Sequence, residues 1–332
     1  SRLLNVVRDE VLAASYPEIK DPDLVRLPDG GWMMLASVGN SSVQQWVVGR
    51  FTAEGLDGPW RELEPVRFHG LSGPELCAPS TVCRREAEGD RWRMYIQTAC
   101  FSPDGRIISA ESADGQNFYP SSDLLVTKES IVGDLDVIGV YDVGVTEITI
   151  NSDPYECLAF SGYRRVGSGD LYAAFRSKLA PELGWTTPVC ILRQEAVPFH
   201  NHPEYEHHEW GLEGAKILQI SETCYLLVGV CFLQRDESFL GMRQRVFFAG
   251  SRTPNGRFIP LGTAIEPFTT GENGHPDAVI EEGRLVLIYQ ERLGDGQPWH
   301  LRHAEFDLDA LARQIAQACD KVSETDEALS PV

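Results

Sequence analysis

Hydrophobic and polar positions follow one design that recurs along the chain about every 60 residues. A polar or acidic residue opens each copy and a short apolar run follows it. A charged or glycine-containing turn then leads into an aromatic-rich or aliphatic run. The five copies span Lys20 to Gly39, Pro74 to Ala99, Tyr141 to Gly162, Leu212 to Cys231 and Gly274 to Arg292. The pattern therefore predicts five related structural units.

Most copies are followed by a third segment in which polar and apolar residues alternate, such as GRIISAES and QRVFFAGS. Alternation of this kind is typical of β-strands. Repeats this long, with strands throughout, indicate a propeller rather than a helical solenoid, because each unit has room for a four-stranded antiparallel sheet. We expect an all-β protein, a five-bladed β-propeller with short helical extensions at both ends.

The propeller is expected as a single domain over residues 16–307, between an N-terminal extension (1–15) and a C-terminal helix and tail (308–332). The N-terminal segment has apolar residues at spacings that suit either a short helix or a strand added to the last blade. Both alternatives are open. The C-terminal segment has apolar residues on one face of an amphipathic helix, namely Leu308, Leu311, Ile315 and Ala318.

Composition narrows the range of partners. Apolar residues make up 42% of the 332 residues and charged residues 23%, as in an ordinary globular protein. The net charge of −20 argues against nucleic acid and anionic membranes, because both would be repelled. The chain contains no apolar run of 18 residues, so no membrane span is predicted.

The eight cysteines are scattered, and several have the apolar neighbours of buried free thiols. None has the C-x-x-C spacing of a zinc ribbon or redox motif. We therefore expect reduced thiols and a cytoplasmic location. Residues 1–15 show no signal-peptide pattern, but the first residue is Ser rather than Met, so secretion stays open.

Acidic residues open the predicted innermost strands of three units: Asp21, Asp142 and Glu213. The innermost strand of a propeller blade starts beside the central channel, so these carboxyl groups are expected to meet there. Further residues expected at the same channel end are Glu75, Glu147, His275 and Asp277. Of these, Glu75, Glu147 and Asp277 are expected to bind the substrate. Clustered carboxyl groups shift one another's pKa values, and cleavage of a glycosidic bond requires an acid and a base with separated pKa values. Acidic residues in propeller loops are also ordinary turn formers, but recurrence in one register favours a functional role.

Short motifs in this order resemble the five-bladed β-propeller glycosidases of glycoside hydrolase family 43, and the wider clan of invertase-like, levansucrase-like and family 117 and 130 propellers. The motifs are Asp21-Pro22-Asp23, Ala78-Pro79, Asp142, Glu213-Gly214 and Gly274-His275. The resemblance covers about residues 16–307.

The resemblance implies that Asp21 is the general base, that Asp142 orients it and tunes the acid, and that Glu213 is the general acid. It implies no cofactor for the chemistry. It also implies a hydrated metal ion, frequently calcium, in the central channel beside His275. The third unit reads YDVG, where the family usually has an Asp-Pro pair, so Glu147 stays open as an alternative third carboxylate.

The segment from His200 to Gly211, HNHPEYEHHEWG, has the most unusual local composition in the chain. Three interpretations stay open. Its histidines, with Glu209, have the donor atoms of a metal site, although short spacing in a loop rarely gives tetrahedral geometry. His208 and Trp210 instead suit a substrate-binding loop, the indole stacking on a sugar and the imidazole bonding its hydroxyl groups. The third interpretation is a solvated loop.

These observations favour a glycoside hydrolase acting on a small glycoside or oligosaccharide with inversion. Inversion predicts carboxyl groups roughly 6.5 to 9.5 Å apart, whereas retention predicts about 5 to 5.5 Å. One alternative is a phosphorylase or transferase on the same propeller, with a phosphate pocket drawn from Arg164, Arg165, Arg243 and Arg245. Another is a carbohydrate-binding or recruited propeller without catalysis, because a fold does not fix function.

Overall fold

The structure is a computed structural model. It describes residues 1–43, 45–71, 76–98, 104–134, 136–165, 168–197, 211–234, 242–265, 271–294 and 296–328. The predicted all-β, five-bladed β-propeller is confirmed: the strands form five sheets around a central channel. The innermost strand of each sheet contacts the innermost strands of its neighbours.

The N-terminal segment contains strands β1 (Arg2–Leu3) and β2 (Val6–Val7) and helix α1 (Glu10–Ser15). Blade one follows with β3 (Glu18–Arg26), β4 (Trp32–Asn40), β5 (Gln45–Ala53) and β6 (Trp60–Leu63). Blade two contains β7 (Arg67–Phe68), β8 (Cys77–Glu86), β9 (Gly89–Thr98), β10 (Arg106–Ser112) and β11 (Asn117–Val126).

Blade three contains β12 (Gly139–Ile150), β13 (Asp153–Arg165), β14 (Ser168–Ser177) and β15 (Val189–Leu192). Blade four contains β16 (Gly211–Ser221), β17 (Cys224–Gln234), β18 (Met242–Ser251) and β19 (Ile259–Thr263). Blade five contains β20 (Glu272–Glu281), β21 (Arg284–Arg292) and β22 (His300–Asp307), and helix α2 (Leu308–Ala328) follows. Short 3₁₀ turns occur at Lys128–Ser130, Pro181–Leu183 and Gln194–Ala196.

The N-terminal segment closes the ring. Strand β1 pairs antiparallel with β22 and so becomes the outer strand of blade five. Strand β2 pairs parallel with β6 in blade one. Both alternatives that the sequence left open are therefore present, since the segment supplies a strand to the last blade and also forms the helix α1.

Apolar clusters between adjacent blades form the core. In the cluster between blades one and five, for example, Met34, Phe51 and Trp60 lie with Val286 and Ile288, all nearly inaccessible to solvent. Comparable clusters join the other neighbouring blades. Removing this apolar surface from water stabilises the closed ring. The core lies between the blades, so the strand ends beside the channel can carry polar side chains.

The C-terminal helix α2 packs across blades four and five, as its apolar periodicity predicts. Leu311, Ile315 and Cys319 are buried at intervals of four residues, which places them on one face. Ile315 lies directly over Gly250, where a Cβ atom would come within 2.5 Å of its Cγ1. Among the described residues, no helix is long and apolar enough to cross a membrane.

Candidate active site

Each innermost strand contains a β-bulge where it enters the channel. One residue of each bulge has a left-handed backbone, with φ between 37° and 58°. These residues are Asp21, Ala78, Asp142, Gly214 and His275. Bulges redirect side chains, and a left-handed backbone costs a non-glycine residue on the order of 1 to 3 kcal/mol. Four of these five residues are not glycine and therefore carry this conformational cost. Strain at the same position in four blades indicates that the bulges have a functional role.

The bulge in blade four lies one residue later than the sequence repeat predicts. The sequence places Glu213 in register with Asp21 and Asp142, but the left-handed residue of blade four is Gly214. That expectation is wrong by one residue, and Glu213 lies directly before the bulge position. The longer Glu213 side chain nevertheless reaches the same centre, where it contacts His275.

The His275 imidazole lies between the three carboxyl groups. Its Nε2 atom is 2.6 Å from Oε1 of Glu213. Its Nδ1 atom is 3.5 Å from Oδ1 of Asp21 and 4.0 Å from Oδ1 of Asp142. Burial lowers the pKa of the imidazole, but the neighbouring carboxylates, first Glu213 and then Asp21, outweigh it and raise the pKa of His275 to about 10. A single imidazolium therefore holds the cluster together at neutral pH.

Asp21 and Asp142 are both buried, yet their pKa values are displaced in opposite directions. Burial raises the pKa of Asp21, but the charges of Lys20 and His275 outweigh it and bring the pKa below its usual value. Burial raises the pKa of Asp142 too, and the Glu213 carboxylate raises it further. Asp21 is therefore the more readily ionised group, and the site holds a base beside an acid.

Tyr163, on β13, bridges the carboxyl groups of Asp142 and Glu213. Its hydroxyl donates a hydrogen bond to Oε2 of Glu213 and lies 3.4 Å from Oδ2 of Asp142. A phenol has one proton to donate, so its oxygen can accept a proton from Asp142 while it donates to Glu213. The ring stacks on Tyr141 with centroids 4.4 Å apart, which fixes its position. The three residues form a hydrogen-bonded route for a proton.

Two side-chain amides join Asp21 to Glu213. The backbone N–H of Asp21 donates to Oε1 of Gln290 at 2.9 Å. Nε2 of Gln290 donates to Oε1 of Gln244 at 3.0 Å, and Nε2 of Gln244 lies 3.5 Å from Oε1 of Glu213. Gly274 makes room for this amide chain, because a Cβ atom there would lie 2.0 Å from Oε1 of Gln244. The amide chain fixes Asp21 relative to Glu213.

Sequence reasoning missed Tyr163, Gln244 and Gln290. All three lie on second or third strands of their blades, β13, β18 and β21, where alternation predicts only core or surface positions. The signal that was available is Gly274, a glycine inside a predicted strand, which indicates close approach of a neighbour.

Asp277 lies further along the channel than His275. Its Oδ1 atom accepts a hydrogen bond from Nζ of Lys216 at 2.5 Å, and its Oδ2 atom accepts one from the backbone N–H of Leu24 at 2.5 Å. Burial, and then the Asp277 carboxylate, raise the pKa of the adjacent Asp23. A cavity of about 40 Å³ on the channel axis is lined by both this layer and the His275 cluster. Asp277 is thus part of a buried ion pair beside the site.

Glu147 lies at the other mouth of the channel. It follows Asp142 by five residues along β12, and at about 3.3 Å per residue the two lie roughly 16 Å apart. Its carboxylate accepts hydrogen bonds from Arg84 and Lys178, each at 2.8 Å, beside a second cavity of about 530 Å³. The expectation that Glu147 lines the same channel end as Asp142 is therefore wrong, because the innermost strands run from one mouth to the other.

Three predicted substrate-binding residues, Glu75, His208 and Trp210, lie outside the described residues, as does the histidine-rich segment up to residue 210. The arginines considered for a phosphate pocket have protein partners where their side chains are described. Arg164 donates to Asp134 and Asp170, and Arg245 to the carbonyl group of Gly271. Arg243 is buried, and the side chain of Arg165 lies outside the described part.

The cluster also has the donor atoms of a metal centre. Asp142, Glu213 and, in its deprotonated form, His275 each offer one ligand atom, and these atoms lie within 4.8 Å of one another. Neither carboxylate oxygen of Asp21 has a hydrogen bond of ordinary length to the described residues, although Lys20 and His275 lie 3.5 Å away. A buried carboxylate that lacks close hydrogen bonds would be stabilised by a further cation or hydrogen-bond donor bound beside it.

Comparison with known proteins identifies the fold. No family model and no curated protein matches the sequence. Solved structures do match. An endo-arabinase from Bacteroides thetaiotaomicron has a TM-score of 0.61 over 92% of this chain and 97% of its own, at 12% identity. A family 43 β-xylosidase/α-arabinofuranosidase from a compost microbial metagenome, in complex with xylotriose, has a TM-score of 0.57 over 92% and 94%, at 14% identity.

A thermostable family 43 glycoside hydrolase has a TM-score of 0.57 over 87% of this chain and 89% of its own, at 12% identity. At these identities the likeness establishes the fold. The resemblance inferred from the short motifs is therefore confirmed as a shared five-bladed β-propeller, while the activity has to be argued from the site.

Proposed function

We propose that the protein is a glycoside hydrolase that cleaves a small glycoside or oligosaccharide by acid–base catalysis. The observation that carries this proposal is the meeting of the carboxyl groups of Asp21, Asp142 and Glu213 around the His275 imidazole. Within that cluster the pKa of Asp21 is lowered and the pKa of Asp142 is raised. Hydrolysis of a glycosidic bond needs a carboxylate and a carboxylic acid in one site at the same time. The solved structures of similar fold include an endo-arabinase and a β-xylosidase/α-arabinofuranosidase, so pentose glycosides are the first substrates to test.

Asp21 is the general base in this proposal. Its low pKa keeps it ionised, so it accepts a proton from the water molecule that attacks the anomeric carbon. Glu213 is the general acid and protonates the departing glycosidic oxygen. Asp142 holds the proton of the buried pair and passes it to Glu213 through the Tyr163 hydroxyl, which contacts both carboxyl groups.

Inversion at the anomeric carbon is the stereochemical part of the proposal. Asp21 and Glu213 contact different nitrogen atoms of His275, so the ring separates the base from the acid. Inversion requires the two carboxyl groups to be far enough apart for a water molecule to lie between the base and the sugar, and an imidazole ring between them supports such a spacing. The anomer that forms first, observed by proton NMR before mutarotation, tests this: inversion gives the opposite configuration from the substrate, and retention gives the same one.

A hydrated cation such as calcium fits the axial cavity beside His275. The wall contains the Asp21 and Asp142 carboxyl groups, and the volume of about 40 Å³ accommodates an ion or a few water molecules. Calcium takes six to eight oxygen ligands, so Asp21 and Asp142 would hold it with water completing its shell. Its charge would stabilise the ionised carboxylate of Asp21.

Hydrolysis of aryl glycosides tests the proposed activity. The panel contains arabinofuranoside, xyloside, galactoside, fructoside-type and mannoside substrates, each assayed with and without calcium and with and without phosphate. Release of the aryl group from one sugar, in a phosphate-independent reaction, supports a hydrolase. Release that requires phosphate supports a phosphorylase instead. A folded protein that is silent on every substrate but binds oligosaccharides supports the carbohydrate-binding alternative.

A further inference from the structure

The seam that closes the propeller ring lies outside the His275 cluster and has its own group of polar side chains. Asp57 follows β5 in blade one, whereas His303 and Glu305 lie on β22 in blade five. His303 and Glu305 are two residues apart in a strand, so their side chains project from the same face. Arg2, on β1, bonds to Asp57 across the seam.

The His303 side chain points into this group with an unsatisfied nitrogen. It is only 4% exposed, and its Nε2 atom has no hydrogen-bond partner among the described residues. That atom lies 3.5 Å from Oδ1 of Asp57 and 3.7 Å from Oε1 of Glu305. A buried polar atom without a partner costs free energy, and burial disfavours a charged imidazole. With its proton on Nδ1, the neutral ring offers at Nε2 a lone pair that no described residue uses.

The three donor atoms have the spacing of metal ligands, since all lie within 4.8 Å of one another. Zinc binds His nitrogen and carboxylate oxygen at about 2.0 to 2.2 Å in a tetrahedron, so its ligand atoms are about 3.4 Å apart. The two distances from His303 are already close to that value. We propose that Asp57, His303 and Glu305 form a zinc site that joins blade five to blade one.

The present partners of the carboxylates leave room for the ion. Arg2 bonds to the same oxygen of Asp57 that faces His303, but both side chains are more than half exposed, so their ion pair contributes little. Zinc therefore displaces Arg2 at small cost. Arg284 bonds to Oε2 of Glu305 and leaves Oε1 free for the ion. Water supplies the fourth ligand.

Zinc suits this donor set better than calcium or magnesium do. Those two cations prefer shells made of oxygen atoms, and an imidazole ligand favours zinc and its neighbours in the first transition series. Bound there, zinc stabilises the closed ring, because an ion that binds the folded state alone shifts the unfolding equilibrium. This inference does not depend on the proposed hydrolase activity.

The test uses the full-length protein, stripped of metal with a chelator and dialysed. Zinc chloride is titrated by calorimetry, and Tm is measured with and without zinc. Asp57→Asn and Glu305→Gln remove ligands with exposed or half-exposed side chains, so folding is retained. Glu282→Gln, at a carboxylate 82% exposed, is the matched control. His275→Gln disrupts the other candidate metal site, the His275 cluster, so the zinc binding that remains in this variant is binding at the seam.

We expect the wild type, Glu282→Gln and His275→Gln to bind zinc at the seam and to gain several degrees in Tm. Asp57→Asn and Glu305→Gln should each weaken that binding at least tenfold and lose the gain. Arg2→Ala should tighten it, because it removes the competing cation. Wild-type affinity in both ligand variants, or zinc binding that disappears only in His275→Gln, would overturn the proposal.

Discussion

Asp21 and Asp142 occupy the same bulge position in blades one and three, with φ 50° in both, yet their pKa values move in opposite directions. The backbone geometry is repeated, so the difference comes from their neighbours. Lys20 and His275 stabilise the ionised form of Asp21, whereas Glu213 destabilises that of Asp142. One fold element repeated around a ring thus supplies both a readily ionised and a readily protonated carboxyl group.

Removing the Tyr163 hydroxyl should slow catalysis without unfolding the protein. Tyr163→Phe keeps the stacked ring and removes only the oxygen between Asp142 and Glu213. We expect kcat to fall about tenfold to a hundredfold, with KM nearly unchanged, because proton transfer to the leaving group is impaired. Steady-state kinetics on the best aryl glycoside measure this.

Tyr172→Phe is the matched control, because the Tyr172 hydroxyl bonds to Asp134, away from the cluster. It should retain wild-type kcat. Equal kcat in Tyr163→Phe and the wild type would show that no proton passes through this hydroxyl.

The third carboxylate can be identified by comparing two substitutions. Asp142→Asn should reduce kcat at least a hundredfold, because it removes the acid of the buried pair. Glu147→Gln should leave kcat within about twofold and cost about 1 kcal/mol or less of unfolding free energy, because Glu147 makes half-exposed ion pairs at the far mouth. Kinetics and urea unfolding measure both effects. The reverse pattern would restore Glu147 as the functional residue.

Gly274→Ala should break the amide chain between Asp21 and Glu213. The new methyl group would occupy the position of Oε1 of Gln244, so that side chain has to move and Asp21 loses its fixed distance from the acid. We expect kcat to fall at least tenfold, since small displacements in a catalytic site are costly. Gly55→Ala, where nothing lies within 4 Å of the added atom, is the control. A Gly274→Ala enzyme as active as this control would refute the positioning role.

Buried thiols should make the protein sensitive to alkali. Burial raises the pKa of Cys231 to about 12, whereas an unfolded cysteine ionises near pH 8.5. The folded pKa is the higher one, so the contribution to stability is complete below the unfolded pKa and is lost as pH rises toward the folded one. Urea unfolding at pH 8 and pH 10.5, in reductant, should show a smaller loss for Cys231→Ala than for the wild type. An identical loss in both proteins would contradict this assignment.

Features that recur in every blade could be predicted from the sequence. The repeated strand pattern gave the number of blades, and repetition at one register identified Asp21, Asp142 and the neighbourhood of His275. Residues that contribute to the site in a single blade leave no repeating pattern in the sequence. Tyr163, Gln244 and Gln290 reach the site from second and third strands. The Tyr163–Glu213 and Gln290–Gln244 contacts join neighbouring blades, which only the closed ring brings together.

The sequence also could not show which residue of a strand occupies the bulge. Glu213 and Gly214 are adjacent, and only the backbone shows that the glycine occupies the bulge. Glu147 follows Asp142 by only five residues, and this closeness in sequence suggests that the two side chains lie together. An extended strand instead separates the two by the length of the channel.

The most direct test of the account is the rate of Glu213→Gln on two aryl glycosides of the same sugar, one with a leaving group that needs a proton and one with a leaving group that does not. If Glu213 is the general acid, the variant loses a hundredfold or more on the first substrate and keeps a rate close to wild type on the second. An equal loss on both substrates, in a folded variant, would contradict the role of Glu213 as the general acid.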